Sequence, residues 1–242
     1  MKRLFTLSLA FLALSSFIYP ENKSKKTVIV WQPSHQTDTG KDFSEALTCN
    51  AIAEAAMKQK PKLNEHKVWS LNQPNLHHAN VGSNTVVEHT SAVIDGKLSG
   101  YAYEINKANE LNADVFIALH NNGGTNQHAI WGFIHEGDSY EAENKELASR
   151  LVNAVSKATG LINKGVLFDS WTGRNDYVCK NTGKKAFYSL DENVNKAKYR
   201  VLLEIGDMGI SKTFLEYPEN QKKIGQTIKI ELAKWLEEKG FK

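Results

Sequence analysis

Four side chains have the types and spacing for metal-assisted hydrolysis: His35, Glu45, His120 and Glu204. His35 lies four residues beyond the apolar run TVIVW, in WQPSHQTDTG, and His120 closes the run VFIALH. Glu45 follows His35 by one loop, at the start of a helical pattern that points it back toward the same place. Two imidazoles and a carboxylate form a known catalytic zinc set, three protein ligands leaving the fourth position to water. Glu204 interrupts RVLLEIGDMG. A carboxylate inside an apolar run is expensive to bury as an anion, which suits it to take and return a proton near neutrality.

Each residue also has a plainer explanation. Asp42 and Glu45 have the spacing of a capping box, so Glu45 could serve the helix N-terminus. Arg200 lies four residues before Glu204, on the same strand face, and could pair with it. Either histidine alone could be a hydrogen-bonded structural residue, since His66, His77, His78, His89, His128 and His135 are also present.

The elements that would position these groups alternate. Short, β-branched apolar runs at Thr27 to Trp31, Val115 to Leu119 and Val201 to Ile205 read as strands covered on both faces. Weaker strand signals cover His66 to Ser70, Ile130 to His135 and Gly165 to Phe168. Amphipathic helical patterns cover Ser44 to Gln59, Gly100 to Leu111, Tyr140 to Thr159 and Glu219 to Lys239, and Gly160 suits a left-handed C-cap after the third. The alternation predicts a single-domain α/β fold: an open, mostly parallel sheet flanked by helices on both faces. Ligands of such sheets bind beyond the carboxyl ends of the strands, where His35, His120 and Glu204 fall. Two regions, Leu71 to Ser99 and Asp169 to Asn195, are longer than a compact domain needs and read as functional loops.

Bulk properties narrow the class. Residues 1–20, with Lys2 and Arg3 before an apolar run from Leu4 to Phe17, read as a secretory signal peptide, and 21–26 as a polar linker to a domain over 27–242. The run is short of the roughly 20 apolar residues of a bilayer span, so no stable membrane anchor is expected after signal removal. The formal charge of the 242 residues is only +3, with both signs mixed along the chain, which gives nucleic-acid binding no support. Two cysteines, Cys49 and Cys179, are too few for a disulfide scaffold. Whether they pair is open, because a bridge requires Cα atoms within about 7 Å; Cys49 reads as a small buried residue.

The motifs together carry a resemblance. The chain resembles the zinc-dependent N-acetylmuramoyl-L-alanine amidases of the type 3 amidase family over most of its length beyond the leader. VIVWQPSHQTDTG is similar to that family's strand and Gly-His-Gly-Gly loop, and SEALTCNAIAEAA to its glutamate-led helix. NKANELNADVFIALHNN resembles its Ala-Asn helix and Ser-x-His-x-Asn strand, and RVLLEIGDMG its Val-Glu-x-Gly-Phe strand. The resemblance implies one zinc ion per chain on His35, Glu45 and His120, Glu204 as the catalytic carboxylate, and peptidoglycan as the substrate in the periplasm or outside the cell. Ser34 and Gln36 stand where the family has glycines, and Asp207 and Ile210 where it has Phe and Asn. On this reading the long loops are groove walls, with Trp171, Arg174, Asn175 and Tyr177 of the types that stack on a sugar or hold a peptide carboxylate. Rival readings are another zinc amidohydrolase or peptidase acting on cell-wall peptides, a catalytically inactive wall-binding domain, and an amidase that waits on a regulatory activator.

Overall fold

The computed structural model describes residues 26–37, 39, 42–71, 73, 75–77, 93–94, 96–172 and 177–241. The leader, most of the linker, Arg174 and Asn175 lie outside the described residues. The element order is β1 (Val28–Pro33), α1 (Glu45–Lys58), β2 (Asn64–Lys67), β3 (Leu76–His77), β4 (Val93–Ile94), β5 (Lys97–Ser99), α2 (Gly100–Glu110), β6 (Val115–Asn122), β7 (Ala129–Ile134), α3 (Glu141–Thr159), β8 (Ile162–Phe168), β9 (Tyr199–Asp207), α4 (Lys212–Glu216) and α5 (Pro218–Glu238). Among the described residues no helix is long and apolar enough to cross a membrane.

One six-stranded sheet in the order β2-β1-β6-β9-β7-β8 organises the chain, and β3, β5 and β4 form a small separate sheet inside the first long region. β1, β7 and β9 are buried along their whole length and β6 up to its last residue, which is why they are written as nearly continuous apolar runs. Alternate residues face opposite sides. Ile29, Trp31, Ile117, Leu119, Val201 and Leu203 pack with α1, α3 and α5. Val30, Phe116, Ala118, Trp131 and Leu202 face Ile105 and Ala108 of α2, together with Phe187 and Leu190 from the second long region. The expected open sheet with helices on both faces is thus present.

Within the six-stranded sheet all neighbouring strands run parallel except β7 against β9. That single antiparallel step turns β7 and β8 around, so they end at the edge where β6 and β9 begin.

Local differences from the sequence reading have local causes. The strand expected over His66 to Ser70 is Asn64–Lys67, because Ser70 leaves the ladder and donates its amide to Glu104 of α2, 2.9 Å away. β8 starts three residues earlier than Gly165, the apolar signal being broken by exposed Asn163 and Lys164 and by a register shift opposite Ile130–Gly132. The cap of α1 is Ser44, whose Oγ accepts from Leu47 N at 3.3 Å, so Asp42 and Glu45 form no capping box. The short helix α4 had no periodic signal. Gly160 does cap α3 in the left-handed region, at φ 83°.

α5 and α1 cross at Gly225. A Cβ there would run into the carbonyl oxygen of Ile52 and lie 2.8 Å from Ala56 N. Both obstacles are α1 backbone and cannot swing aside. Gly225→Ala is therefore expected to push the helices apart and lower stability by about 1–3 kcal/mol, measured by urea denaturation; an unchanged midpoint would show that the crossing yields freely.

Candidate active site

The carboxyl ends of β1, β6 and β9 share one rim. In the parallel register of β6 with β9, His120 is the direct partner of Glu204. Both lie on the sheet face that carries Phe116, Ala118 and Leu202, and both are buried. Glu45, the first residue of α1, brings its Oε1 to 2.9 Å from His120 Nδ1. Its amide is taken up by Thr39 Oγ1 at 3.1 Å, which fixes the start of the helix beneath the rim.

His35, two residues beyond β1, is buried and oriented by a residue the sequence did not single out. Glu104 of α2, fully buried, receives His35 Nδ1 at 3.1 Å on each of its oxygens. The same carboxylate accepts from Gln32 Nε2 at 2.8 Å and from Ser70 N and Oγ, each at 2.9 Å. A carboxylate against Nδ1 assigns the ring proton to that nitrogen and leaves Nε2 as the lone-pair donor. Gly100, at the start of α2, allows the close approach: a Cβ there would stand 3.2 Å from both Nε2 and Cε1 of His35.

Tyr101 rests against both imidazoles. Its ring meets His35 edge-on at 4.3 Å and lies parallel to His120 at 6.4 Å between centroids. Gln36 Nε2 donates to the Tyr101 hydroxyl at 3.0 Å and ties this ring to the His35 loop. Beneath the site, the Cys49 thiol sits among its carboxylates, with Sγ 3.5 Å from Asn121 Oδ1. Burial first, then Glu45 and Glu204, hold that thiol well above the ordinary cysteine range.

The donor set suits a divalent ion: two imidazoles and a carboxylate, all buried, one imidazole backed by a second carboxylate as metal-ligating histidines commonly are. Glu45 and His120 are already adjacent. His35 stands farther off, since the trio is not among the described groups whose ligand atoms all lie within 4.8 Å of one another. Holding one ion on all three requires His35 to close on the pair.

The alternative partner for Glu204 is ruled out. Arg200 sits at the opening of β9, donates from Nε to Leu190 O at 2.9 Å, and pairs through its guanidinium with Asp138. Asp207 latches the rim. Its Oδ2 accepts from Thr125 N at 2.7 Å and Oγ1 at 2.6 Å, and its Oδ1 from Gly209 N at 2.8 Å, joining the loops after β6 and β9. Burial pushes its carboxyl upward, but these hydrogen bonds outweigh that and leave it below the ordinary aspartate range.

Trp171 and Tyr177 are placed elsewhere. β8 ends at Phe168 and β9 begins at Tyr199, both at the edge opposite Glu204, and the segment between them starts and finishes there. Trp171 is 65% exposed on that edge, whereas Tyr177 is buried with its hydroxyl on Asp191 Oδ2 at 2.7 Å. Neither is brought to the His120–Glu204 rim by the strands that carry it, because the antiparallel β7 step reverses the direction that a uniformly parallel sheet would give.

No family model matches the sequence, and no curated protein does. Solved structures do match in fold. The catalytic domain of CwlV, an N-acetylmuramoyl-L-alanine amidase from Bacillus (Paenibacillus) polymyxa var. colistinus, superimposes with a TM-score of 0.56 at 18% identity, covering 87% of this chain and 98% of that one. An N-acetylmuramoyl-L-alanine amidase from Clostridium difficile 630 gives 0.56 at 15% identity, covering 90% of this chain and 100% of the other. CwlD amidase from Clostridioides difficile, solved in complex with the GerS lipoprotein, gives 0.55 at 16%, over 88% and 99%. The architecture is that of an amidase catalytic domain.

The Asp207 latch yields a pH-dependent expectation. A depressed carboxyl stabilises the fold above its unfolded-state pKa and loses that contribution as pH falls through its folded value. Asp207→Ala should cost about 1–3 kcal/mol at neutral pH, a difference that shrinks on acidification below the ordinary aspartate range. Paired urea titrations at neutral and strongly acidic pH check it, and a pH-independent difference would remove the charge from the account.

Proposed function

We propose that the chain is a peptidoglycan hydrolase that cleaves the amide between N-acetylmuramic acid and the L-alanine of the stem peptide. The carrying observation is the pairing of His120 with Glu204 in the central register, with Glu45 already bonded to His120, on an amidase-type fold. His35, Glu45 and His120 are the residues that would hold a divalent ion, zinc by their chemistry. When bound, such an ion supplies Lewis acidity toward the lactyl carbonyl and makes water a nucleophile near neutral pH.

The protein's own residues account for the remaining work. Glu204, fixed on a buried strand beside His120, takes the proton of the attacking water and returns it to the departing alanine nitrogen. Glu104 keeps the His35 proton on Nδ1, which leaves the Nε2 lone pair for a metal. Tyr101, against both imidazoles, and Cys49, beside Glu45 and Glu204, line the site. We assign residues 1–20 as an export signal, in keeping with a substrate that lies outside the cytoplasm.

The reading separates from its rivals by product. Mass spectrometry of muropeptides after digestion should show free stem peptides beginning at L-alanine, lost when the protein is stripped by chelator and restored by zinc. Cleavage within the stem would instead make the chain a peptidase, and metal uptake without any product an inactive wall-binding domain. Glu204→Gln should retain metal and lower turnover by about 10²–10⁴-fold; a variant that still clears wall substrate at the parent rate would unseat Glu204. Glu104→Gln should weaken metal affinity by about 10–100-fold, read by competition with a chromogenic chelator, and an unchanged affinity would leave Glu104 only a structural carboxylate.

A further inference from the structure

The antiparallel step at β7 gives the sheet a second set of carboxyl ends, and they too carry ligand chemistry. His135 follows the last residue of β7 and Asp169 the last of β8. Cys179 and Asp191 come from the segment that returns to β9. One ligand atom each from His135, Cys179 and Asp191 all lie within 4.8 Å of one another, and all three residues are buried, Cys179 and Asp191 at 0% exposure.

The surroundings orient these atoms. Asp169 Oδ2 accepts His135 Nδ1 at 2.8 Å and Phe187 N at 3.0 Å. That leaves Nε2 as the ring nitrogen open to a metal, and Cys179 Sγ lies within 4.8 Å of a ligand atom of both His135 and Asp191. Tyr177 holds Asp191 Oδ2 at 2.7 Å, while Asn193 donates to Oδ1 from its amide at 2.8 Å and its side chain at 2.7 Å. Asp169 Oδ1 is buried with no hydrogen-bond partner among the described residues, an uncompensated acceptor next to the cluster. The shell closes with Tyr177, Cys179 and Ala186 packed against Tyr188 and Val194.

We propose that His135, Cys179 and Asp191 bind a second transition-metal ion of the zinc class, with Asp169 and Tyr177 as the groups that orient its ligands. Thiolate, imidazole and carboxylate at bond lengths of about 2.0–2.3 Å span a tetrahedral ion from positions such as these. Binding releases the thiol proton and any proton carried by His135 Nε2. The two negative charges of Cys179 and Asp191 then balance a divalent cation, which relieves the burial of three polar groups in an apolar pocket. A nucleophilic role for Cys179 is excluded by its burial, since no substrate reaches Sγ. The ion would act on structure: residues 172–198 contain no helix or strand among those described, only turns and the single Val178–Lys185 bridge, and the cluster ties them to the end of β7.

The test uses the full chain, stripped with chelator and reloaded with Zn²⁺ or Co²⁺ alone. Elemental analysis should find two ions per chain, and the cobalt form should show a thiolate charge-transfer band. Cys179→Ser and His135→Gln should each lose one ion together with the band. His120→Ala should lose the other ion and keep the band, and Cys49→Ala should keep both. Wild-type protein that is folded yet shows no thiolate band overturns the second site, as does Cys179→Ser with unchanged metal content. Because the wild-type band is read before any substitution, a variant that fails to fold does not blunt the test. A single ion that departs with Cys179 would support this site while removing the metal from His35, Glu45 and His120.

Discussion

The pairing of β6 with β9 is the constraint on which the rim depends. Both strands are covered on both faces, so a slip of one residue would turn every apolar side chain of β9 to the wrong side. Burial therefore locks His120 opposite Glu204 more firmly than any contact between them could. The remaining groups are attached to that pair from outside. Glu45 reaches it through a hydrogen bond from the end of α1, and α1 is in turn seated on α5 through the gap left by Gly225. His35 is governed from the other face by Glu104 of α2, so the two imidazoles are oriented by different helices on different sides of the sheet.

The antiparallel junction of β7 and β9 divides the chemistry of the molecule. A wholly parallel sheet would send every carboxyl end to one edge. Here four strands end at one edge and two at the other, and polar residues follow buried runs at both. The second edge is closed: Arg200 with Asp138, His135 with Asp169, and Tyr177 with Asp191 are all buried pairs there. The first edge carries its polar groups beside Gly-containing turns and a loop latch, with Tyr101 against both imidazoles and Gln36 on its hydroxyl.

Much of this was legible in the sequence, for a physical reason. β1, β6 and β9 are buried on both sides and therefore spelled as unbroken apolar runs, and a charged or ligating residue at the end of such a run stands out. His35, His120 and Glu204 were visible that way, and Glu45 by its place at a helix start. The same rule applied to AIWGFIH and GVLFD would have marked His135 and Asp169, but those strands gave weaker signals, one interrupted by Gly132 and the other broken by exposed Asn163 and Lys164. Glu104 was hidden because a carboxylate in an amphipathic helix normally faces solvent; only its spacing of four from Gly100 and from Ala108 placed it on the inner face. The substrate assignments of Trp171 and Tyr177 rested on residue type, and strand direction, which no local pattern encodes, carried them to the far edge.

Cys49 gives the rim a property unrelated to turnover. Thiols react as thiolates, and this one is kept protonated by burial and by Glu45 and Glu204, behind the first turns of α1. A labelling reagent meets it only when α1 lifts. Its alkylation rate is thus a native clock for how often the floor of the site opens.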